Sequence, residues 1–127
     1  MSVRILVVDD ERGIVETLTA ILQMKGYHVD AASDGVDGYE KARLLRPELV
    51  VSDISMPKMN GIDMAIKIAA ELPGTQILLF SGQAMTLELL QQARARGYNF
   101  ECLMKPFHPL DLIHKVEALL GSPSMAR

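Results

Sequence analysis

The sequence predicts an α/β fold in which five helices cover a doubly wound, five-stranded parallel sheet. Two observations carry this prediction: short apolar runs recur along the 127 residues, and segments whose apolar residues have helical spacing separate them. Strands that alternate with helices pair in parallel and are covered on both faces. The length suits a single domain, and no apolar run approaches the length of a membrane span.

The predicted strands differ in how continuously apolar they are. ILVV at 5–8, LVV at 49–51 and ILLF at 77–80 have the composition of buried parallel strands. HVDAAS at 28–33 and ECLM at 101–104 contain polar residues and are expected at the sheet edges. Right-handed crossovers and one reversal of the winding then give the order 2-1-3-4-5, which is that of flavodoxin-like folds.

Each predicted helix has a start or stop signal. Gly26 and Gly97 are expected to end the first and fourth helices, Asp34 and Asn60 to cap the second and third, and Pro109 to begin the fifth. The apolar positions that define the five helices are Ile14, Leu18, Ile21 and Leu22; Val36, Tyr39 and Ala42; Ile62, Ile66 and Ala69; Leu87, Leu90 and Ala93; and Leu112, Ile113, Val116 and Leu120.

The composition argues against several classes of protein. Hydrophobic residues make up 49% and charged residues 23% of the chain, as in globular domains. A net charge of −3 provides no broad basic field, so no direct binding of nucleic acid is expected. The single cysteine excludes a disulfide framework. The chain has no signal-peptide pattern, and we expect a cytoplasmic protein without membrane contact.

Polar side chains follow the predicted strands at their carboxyl ends. Asp9 and Asp10 follow strand 1, Asp53 ends strand 3, Ser81 ends strand 4 and Lys105 follows strand 5. Taken singly, Asp9 or Asp10 suits a cap of the first helix, and Asp53 suits a turn. Because the carboxyl ends of parallel strands open onto one edge, where such folds bind ligands, their coincidence favours a functional site.

The residue types at this edge point to phosphoryl chemistry. Clustered carboxylates repel one another, and a hard divalent cation such as Mg²⁺ relieves that repulsion while keeping waters that a phosphoryl group can replace. Lys105 would balance the remaining negative charge, and Ser81 would donate a hydrogen bond. The chain contains neither GxxxxGK[ST] nor a GxGxxG after strand 1, so no nucleotide cradle accompanies the site.

Four motifs at these positions resemble those of the receiver domain of two-component response regulators, and particularly the single-domain regulators of chemotaxis. They are VVDD at 7–10, DISMPKMNG at 53–61, FSG at 80–82 and KPF at 105–107. The resemblance covers nearly the whole chain. We accordingly expect a receiver domain at 1–121 and a C-terminal tail or the start of a linker at 122–127.

The resemblance implies a role for each site residue. Asp53 would accept a phosphoryl group from the phosphohistidine of a sensor histidine kinase or a histidine phosphotransfer protein. Lys105 would pair with Asp53 and then with the phosphoryl oxygens, and Ser81 would sense the modification. The cofactor would be Mg²⁺, bound by Asp10, Asp53 and the backbone carbonyl of Ser55, and Asp9 would hold it directly or through water.

The same resemblance implies how the signal leaves the domain. A downstream protein would bind the face formed by helix 4, strand 5 and helix 5. Association of two copies into a homodimer is a further possibility. The protein would not be an enzyme, because it would only lose its phosphoryl group slowly, at a rate tuned by Ser55 and Gln83. A cis peptide bond is expected between Lys105 and Pro106.

One position departs from the family pattern. Cys102 stands three residues before Lys105, where Tyr or Phe is usual, so Phe100 or Tyr98 would have to replace the switch ring. A phosphorylation-independent binding or dimerisation module is therefore an alternative function. A hydrolase is another, but such enzymes typically carry a second Asp two residues after the nucleophile, where this chain has Ser55.

Overall fold

The fold of the chain is seen in a computed structural model, which describes residues 3–82 and 86–120. The strands are β1 (Arg4–Val8), β2 (His28–Ala32), β3 (Leu49–Asp53), β4 (Gln76–Ser81) and β5 (Glu101–Met104). The helices are α1 (Arg12–Met24), α2 (Gly35–Leu45), α3 (Gly61–Glu71), α4 (Thr86–Ala95) and α5 (Pro109–Leu120). The strands pair in parallel in the order β2-β1-β3-β4-β5, which confirms the predicted topology.

Each face of the sheet has its own hydrophobic core, because successive strand residues point to opposite faces. Helices α1 and α5 cover one face, and α2, α3 and α4 cover the other. The first core contains Ile5, Val7, Leu18, Leu22, Leu49, Val51, Leu78, Phe80, Leu112, Ile113 and Val116. The second contains Leu6, Val8, Ala42, Val50, Ile62, Ala65, Ile68, Leu79 and Ala93.

The helix caps confirm two predictions and correct one reading. The side chains of Asp34 and Asn60 accept hydrogen bonds from backbone N–H groups in the first turns of α2 and α3. Helix α1 begins after Glu11 without a side-chain cap, so neither Asp9 nor Asp10 is its capping residue. The Oδ1 atom of Asp9 instead accepts the Glu11 N–H at 2.9 Å, which holds the carboxylate at the sheet edge.

The two edge strands are the polar-interrupted ones, as predicted. Strand β5 is only half-buried, and Leu87 of α4 is an exposed apolar residue with 67% of its surface accessible. No helix in the described part of the chain is long and apolar enough to cross a membrane. The predicted tail or linker at 122–127 lies outside the described residues.

Candidate functional site

The predicted site residues meet at the carboxyl edge of the sheet. Asp53 and Ser81 are the last residues of β3 and β4, whereas Asp9 and Lys105 follow β1 and β5 directly. Strand pairing continues into the site, since the Lys105 N–H donates to the Ser81 carbonyl at 2.8 Å. The hydrogen-bonded strands therefore fix the backbone positions of these residues.

Three carboxylates form a compact acidic cluster. One oxygen from each of Asp9, Asp10 and Asp53 lies within 4.8 Å of the others, with Asp9 and Asp53 buried and Asp10 exposed. The Oδ2 atom of Asp9 is buried and has no hydrogen-bond partner among the described residues. Oxygens gathered in this way suit a hard divalent cation, so the cluster fits Mg²⁺. The carbonyl of Ser55, in the exposed loop after β3, stays a predicted ligand.

The two buried carboxylates, those of Asp9 and Asp53, have raised pKa values because burial disfavours their charged forms. Burial, together with the nearby charge of Asp53, raises the pKa of Asp9 to about 6, although the Glu11 N–H and Lys105 act against this shift. Burial also raises the pKa of Asp53, opposed by Lys105 and by the backbone N–H groups of Ser55 and Ile54. A bound cation would relieve both shifts.

Lys105 supplies the positive charge of the site. Its Nζ lies 3.9 Å from Oδ2 of Asp53 and 5.2 Å from the centre of the Phe80 ring. Phe107 packs edge-on against the same ring, with the two ring centres 6.1 Å apart. The peptide bond between Lys105 and Pro106 is cis, as the resemblance implies.

Ser81 is fully buried and hydrogen-bonded to a residue that the sequence-based prediction leaves out. The Thr86 hydroxyl donates to Oγ of Ser81 at 2.6 Å, and Thr86 is the first residue of α4. The signal for Thr86 in the sequence is weak, since it is only a hydroxyl residue at the start of a predicted helix. Gln83, expected to tune dephosphorylation, lies outside the described residues.

The loop after Asp53 approaches the site so closely that a glycine is required. A Cβ atom on Gly61 would lie 2.2 Å from the backbone carbonyl oxygen of Asp53, and the Gly61 N–H donates to the Ile54 carbonyl at 2.8 Å. Lys58 in the same loop pairs with Asp34 at 3.5 Å. These contacts hold the loop against α2 and α3.

The two aromatic residues that would have to replace the ring missing at Cys102 pack against each other. Phe100 precedes β5 and stacks on Tyr98, with ring centres 6.0 Å apart. Because two residues of extended chain span about 6.6 Å, Phe100 lies about that distance before Cys102 and farther from the carboxyl edge of the sheet. Burial, followed by the charge of Asp53, raises the pKa of the Cys102 thiol.

A cleft of about 600 Å³ opens beside Lys105. Ile14 and Leu18 of α1 line one side, and Phe80 and Phe107 line the other. The sequence pattern assigns Ile14, Leu18 and Phe80 to the core, and their role as cleft walls follows only from the packing of α1 against the segment after β5. The cleft is thus lined largely by apolar side chains and borders the site at Lys105.

The chain is similar to known proteins over nearly its whole length. The family model for the response regulator receiver domain matches residues 5–117. The DNA-binding response regulator MtrA of Mycolicibacterium paratuberculosis is 34% identical over 94% of this chain and 52% of its own length. The probable transcriptional regulatory protein TcrX of Mycobacterium tuberculosis is 32% identical over 93% and 50%. The chain thus spans about half the length of these relatives.

Solved structures agree with the sequence comparisons. A CheY-like receiver domain protein from Methanospirillum hungatei superposes with a TM-score of 0.86 at 29% identity, covering 99% of this chain and all of that one. The response regulator TrrA from Thermotoga maritima, in complex with Mg²⁺ and BeF, gives 0.82 at 34% identity over 94% and 100%. The acidic edge, the fold and these similarities together place the chain in the receiver domain family of two-component response regulators.

Proposed function

We propose that the protein accepts a phosphoryl group on Asp53 from the phosphohistidine of a histidine kinase or phosphotransfer protein, and that this changes its binding to a partner. The observation that carries the proposal is the placement of a single ammonium group, that of Lys105, 3.9 Å from a buried carboxylate within a cluster of three. A cluster of this kind is complementary to a phosphoryl group because it offers an acceptor oxygen and balances added negative charge.

The residues divide the transfer step between them. An oxygen of Asp53 attacks the phosphorus, the nitrogen–phosphorus bond of the phosphohistidine breaks, and the leaving imidazole keeps the electron pair and takes up a proton. The Lys105 ammonium pairs first with the Asp53 carboxylate and then with the phosphoryl oxygens, and the Ser81 hydroxyl donates a hydrogen bond to one of those oxygens. Mg²⁺ held by Asp9, Asp10, Asp53 and the Ser55 carbonyl would neutralise part of the negative charge on the transferred group.

The product is an acyl phosphate on the protein itself, so the chain acts as a phosphoryl acceptor and not as an enzyme with turnover. Slow self-dephosphorylation by water would reset it. Ser55 stands two residues after Asp53, where hydrolases with an Asp nucleophile typically place a second acid, which supports this assignment.

The proposed output is protein binding by the face formed by α4, β5 and α5, in the cytoplasm. Leu87 and Met104 support it, because 67% and 48% of their surfaces are accessible although both are large and apolar. MtrA is named as DNA-binding. We propose that this chain does not itself contact nucleic acid, since its net charge is −3. A homodimer stays a prediction.

Small phosphodonors test the proposal without a kinase. The full chain is incubated with phosphoramidate, with and without Mg²⁺, and its intact mass is measured. We expect one added phosphoryl group that requires Mg²⁺, none in Asp53→Asn, and normal addition in Asp63→Asn, which removes an acid from the exposed start of α3. A wild-type protein that gains no mass contradicts the proposal. Partner binding unchanged by phosphorylation would favour the phosphorylation-independent module instead.

A further inference from the structure

Two buried hydroxyl groups connect the end of β4 to the beginning of α4. Thr86 Oγ1 donates to Ser81 Oγ at 2.6 Å, and neither residue has any exposed surface. Ser81 ends the strand next to Asp53, and Thr86 opens the helix that borders the exposed face at Leu87. The pair is therefore a direct contact between the site and α4.

We propose that Thr86 is a positioning residue that couples Ser81 to α4, so that engagement of Ser81 by a phosphoryl group on Asp53 displaces the first turn of the helix. This inference rests on the proposed function, because it takes phosphorylation of Asp53 as the input. It assigns to Thr86 the transmission of the signal and not the binding of the phosphoryl group.

The chemistry of hydroxyl groups allows Ser81 to serve both partners. A hydroxyl has one proton to donate and two lone pairs that accept, so Ser81 can donate to a phosphoryl oxygen while accepting from Thr86. Breaking the 2.6 Å bond between these two fully buried hydroxyls would cost free energy, because water does not reach either group to replace it. The bond to Thr86 is therefore expected to persist when Ser81 turns, and Thr86 moves with it.

The backbone restricts which part of Ser81 can respond. The Ser81 carbonyl accepts the Lys105 N–H at 2.8 Å, and the residue is in register with Met104 of β5. With its main chain held against β5, Ser81 responds by rotating its side chain. The displaced group at the other end of the hydrogen bond is then Thr86, whose own backbone belongs to α4.

Helix α4 is lightly anchored compared with α3. Thr86 and Ala93 are the buried residues of α4, with Leu89 and Leu90 partly buried against the core, whereas α3 buries six residues. A helix held at so few points can shift at its first turn without disrupting the core. With Cys102 in place of a ring, the hydroxyl pair offers a route from Ser81 that needs no aromatic side chain.

Beryllofluoride provides a test, because it forms a phosphoryl mimic on a receptive carboxylate. Amide NMR spectra of the full chain are recorded before and after addition of Mg²⁺ and beryllofluoride. The variants are Thr86→Val, which removes the hydroxyl and keeps the shape, and Thr86→Ser, which keeps the hydroxyl. Thr75→Val is the matched control, since the Thr75 hydroxyl donates to the Pro47 carbonyl at 2.8 Å, far from the site.

In wild type we expect signals to change both in the loop after Asp53 and in α4. In Thr86→Val the loop signals should still change, while the displaced population of α4 falls about fivefold, which corresponds to the loss of about one hydrogen bond. Thr86→Ser and Thr75→Val should respond as wild type does. Thermal unfolding of each variant establishes that it is folded.

Four results would overturn the inference. Full α4 changes in Thr86→Val would show that the hydroxyl is dispensable, and a lost response in folded Thr86→Ser would point to the methyl group. A Thr86→Val protein that no longer binds beryllofluoride would place Thr86 in binding instead of transmission. A wild-type protein without changes around Asp53 would contradict the proposed function itself, and the coupling would fall with it.

Discussion

Strands β3 and β5 both contribute to the site, yet they differ in how firmly the fold holds them. All five residues of β3 are buried, and the strand lies in the middle of the sheet. Strand β5 is an edge strand whose residues are half-buried or exposed. The carboxylate proposed to react is thus set in a rigid strand, whereas the residues next to the proposed output face lie where changes of side chain are better tolerated.

Agreement with the family pattern also differs between the buried site and the edge strand. The residues proposed for chemistry, Asp9, Asp10, Asp53, Ser81 and Lys105, are all present and placed together. The one expected ring that is missing belongs to β5, at Cys102. Separate predictions therefore follow for the residues proposed for chemistry and for the proposed route of the signal through β5 and α4. Each can be tested alone.

The largest effect is expected from removing the positive charge of Lys105, the residue that follows β5. Lys105→Gln should slow phosphorylation by phosphoramidate roughly 100-fold, the loss typical when a preorganised charge no longer stabilises the transferred group. Intact-mass time courses measure the rate. Lys115→Gln is the control, since Lys115 pairs with Glu101 at 2.8 Å on the surface. Equal rates for the two variants would contradict the role of Lys105.

Adding a methyl group at Gly61 tests how rigidly the backbone at the end of β3 is held. Gly61→Ala would place a Cβ atom 2.2 Å from the Asp53 carbonyl oxygen, so we expect a loss of about 2–3 kcal/mol in the free energy of unfolding. Gly13→Ala in α1 meets nothing within 4 Å and should raise that free energy slightly, because alanine favours helix. Urea unfolding measures the free energy for both variants. A Gly61→Ala protein as stable as wild type would show that the loop after Asp53 moves to accommodate the methyl group.

The raised pKa of Asp9 makes the free energy of unfolding depend on pH. The pKa of Asp9 is about 6 in the folded protein and about 3.9 when unfolded, so the folded state holds an extra proton between these values. Without Mg²⁺, the free energy of unfolding should therefore fall as pH rises from about 4 to about 6, and then stay level.

Two variants locate the source of this pH dependence. At pH 7 without Mg²⁺, Asp9→Asn should be more stable than wild type by about 1–2 kcal/mol, because a buried charge is removed while Oδ1 still accepts the Glu11 N–H. Asp10→Asn should change stability less, since Asp10 is exposed. Urea titrations across this pH range would contradict the account if wild type gained stability with rising pH.

The smallest effect is expected at Cys102 on the β5 side. Cys102→Ala should leave the rate of phosphorylation by phosphoramidate within about twofold of wild type, because the side chain lies outside the acidic cluster. The same intact-mass assay detects a change. A severalfold loss would mean that β5 takes part in the chemistry beyond Lys105, and the division between centre and signal route would no longer hold.

The fold and the site positions were accessible from the sequence for a simple reason. Runs such as residues 5–8 and 49–51 are so apolar that only buried strands suit them, and the polar residues that follow must then share one edge. The Ser81–Thr86 bond was not accessible, because it depends on the path of the chain between strand and helix. The unpartnered Oδ2 of Asp9 likewise emerges only from packing in three dimensions.

The central claim is that Asp53 itself becomes the acyl phosphate, and locating the modified residue tests it most directly. Borohydride reduces an aspartyl phosphate to homoserine, which tandem mass spectrometry identifies in a peptide. After treatment with phosphoramidate and Mg²⁺, we predict homoserine at position 53 and at no other aspartate, and none when Mg²⁺ is omitted. Homoserine at Asp9 or Asp10, or at no position in a protein that has gained phosphoryl mass, would contradict the account.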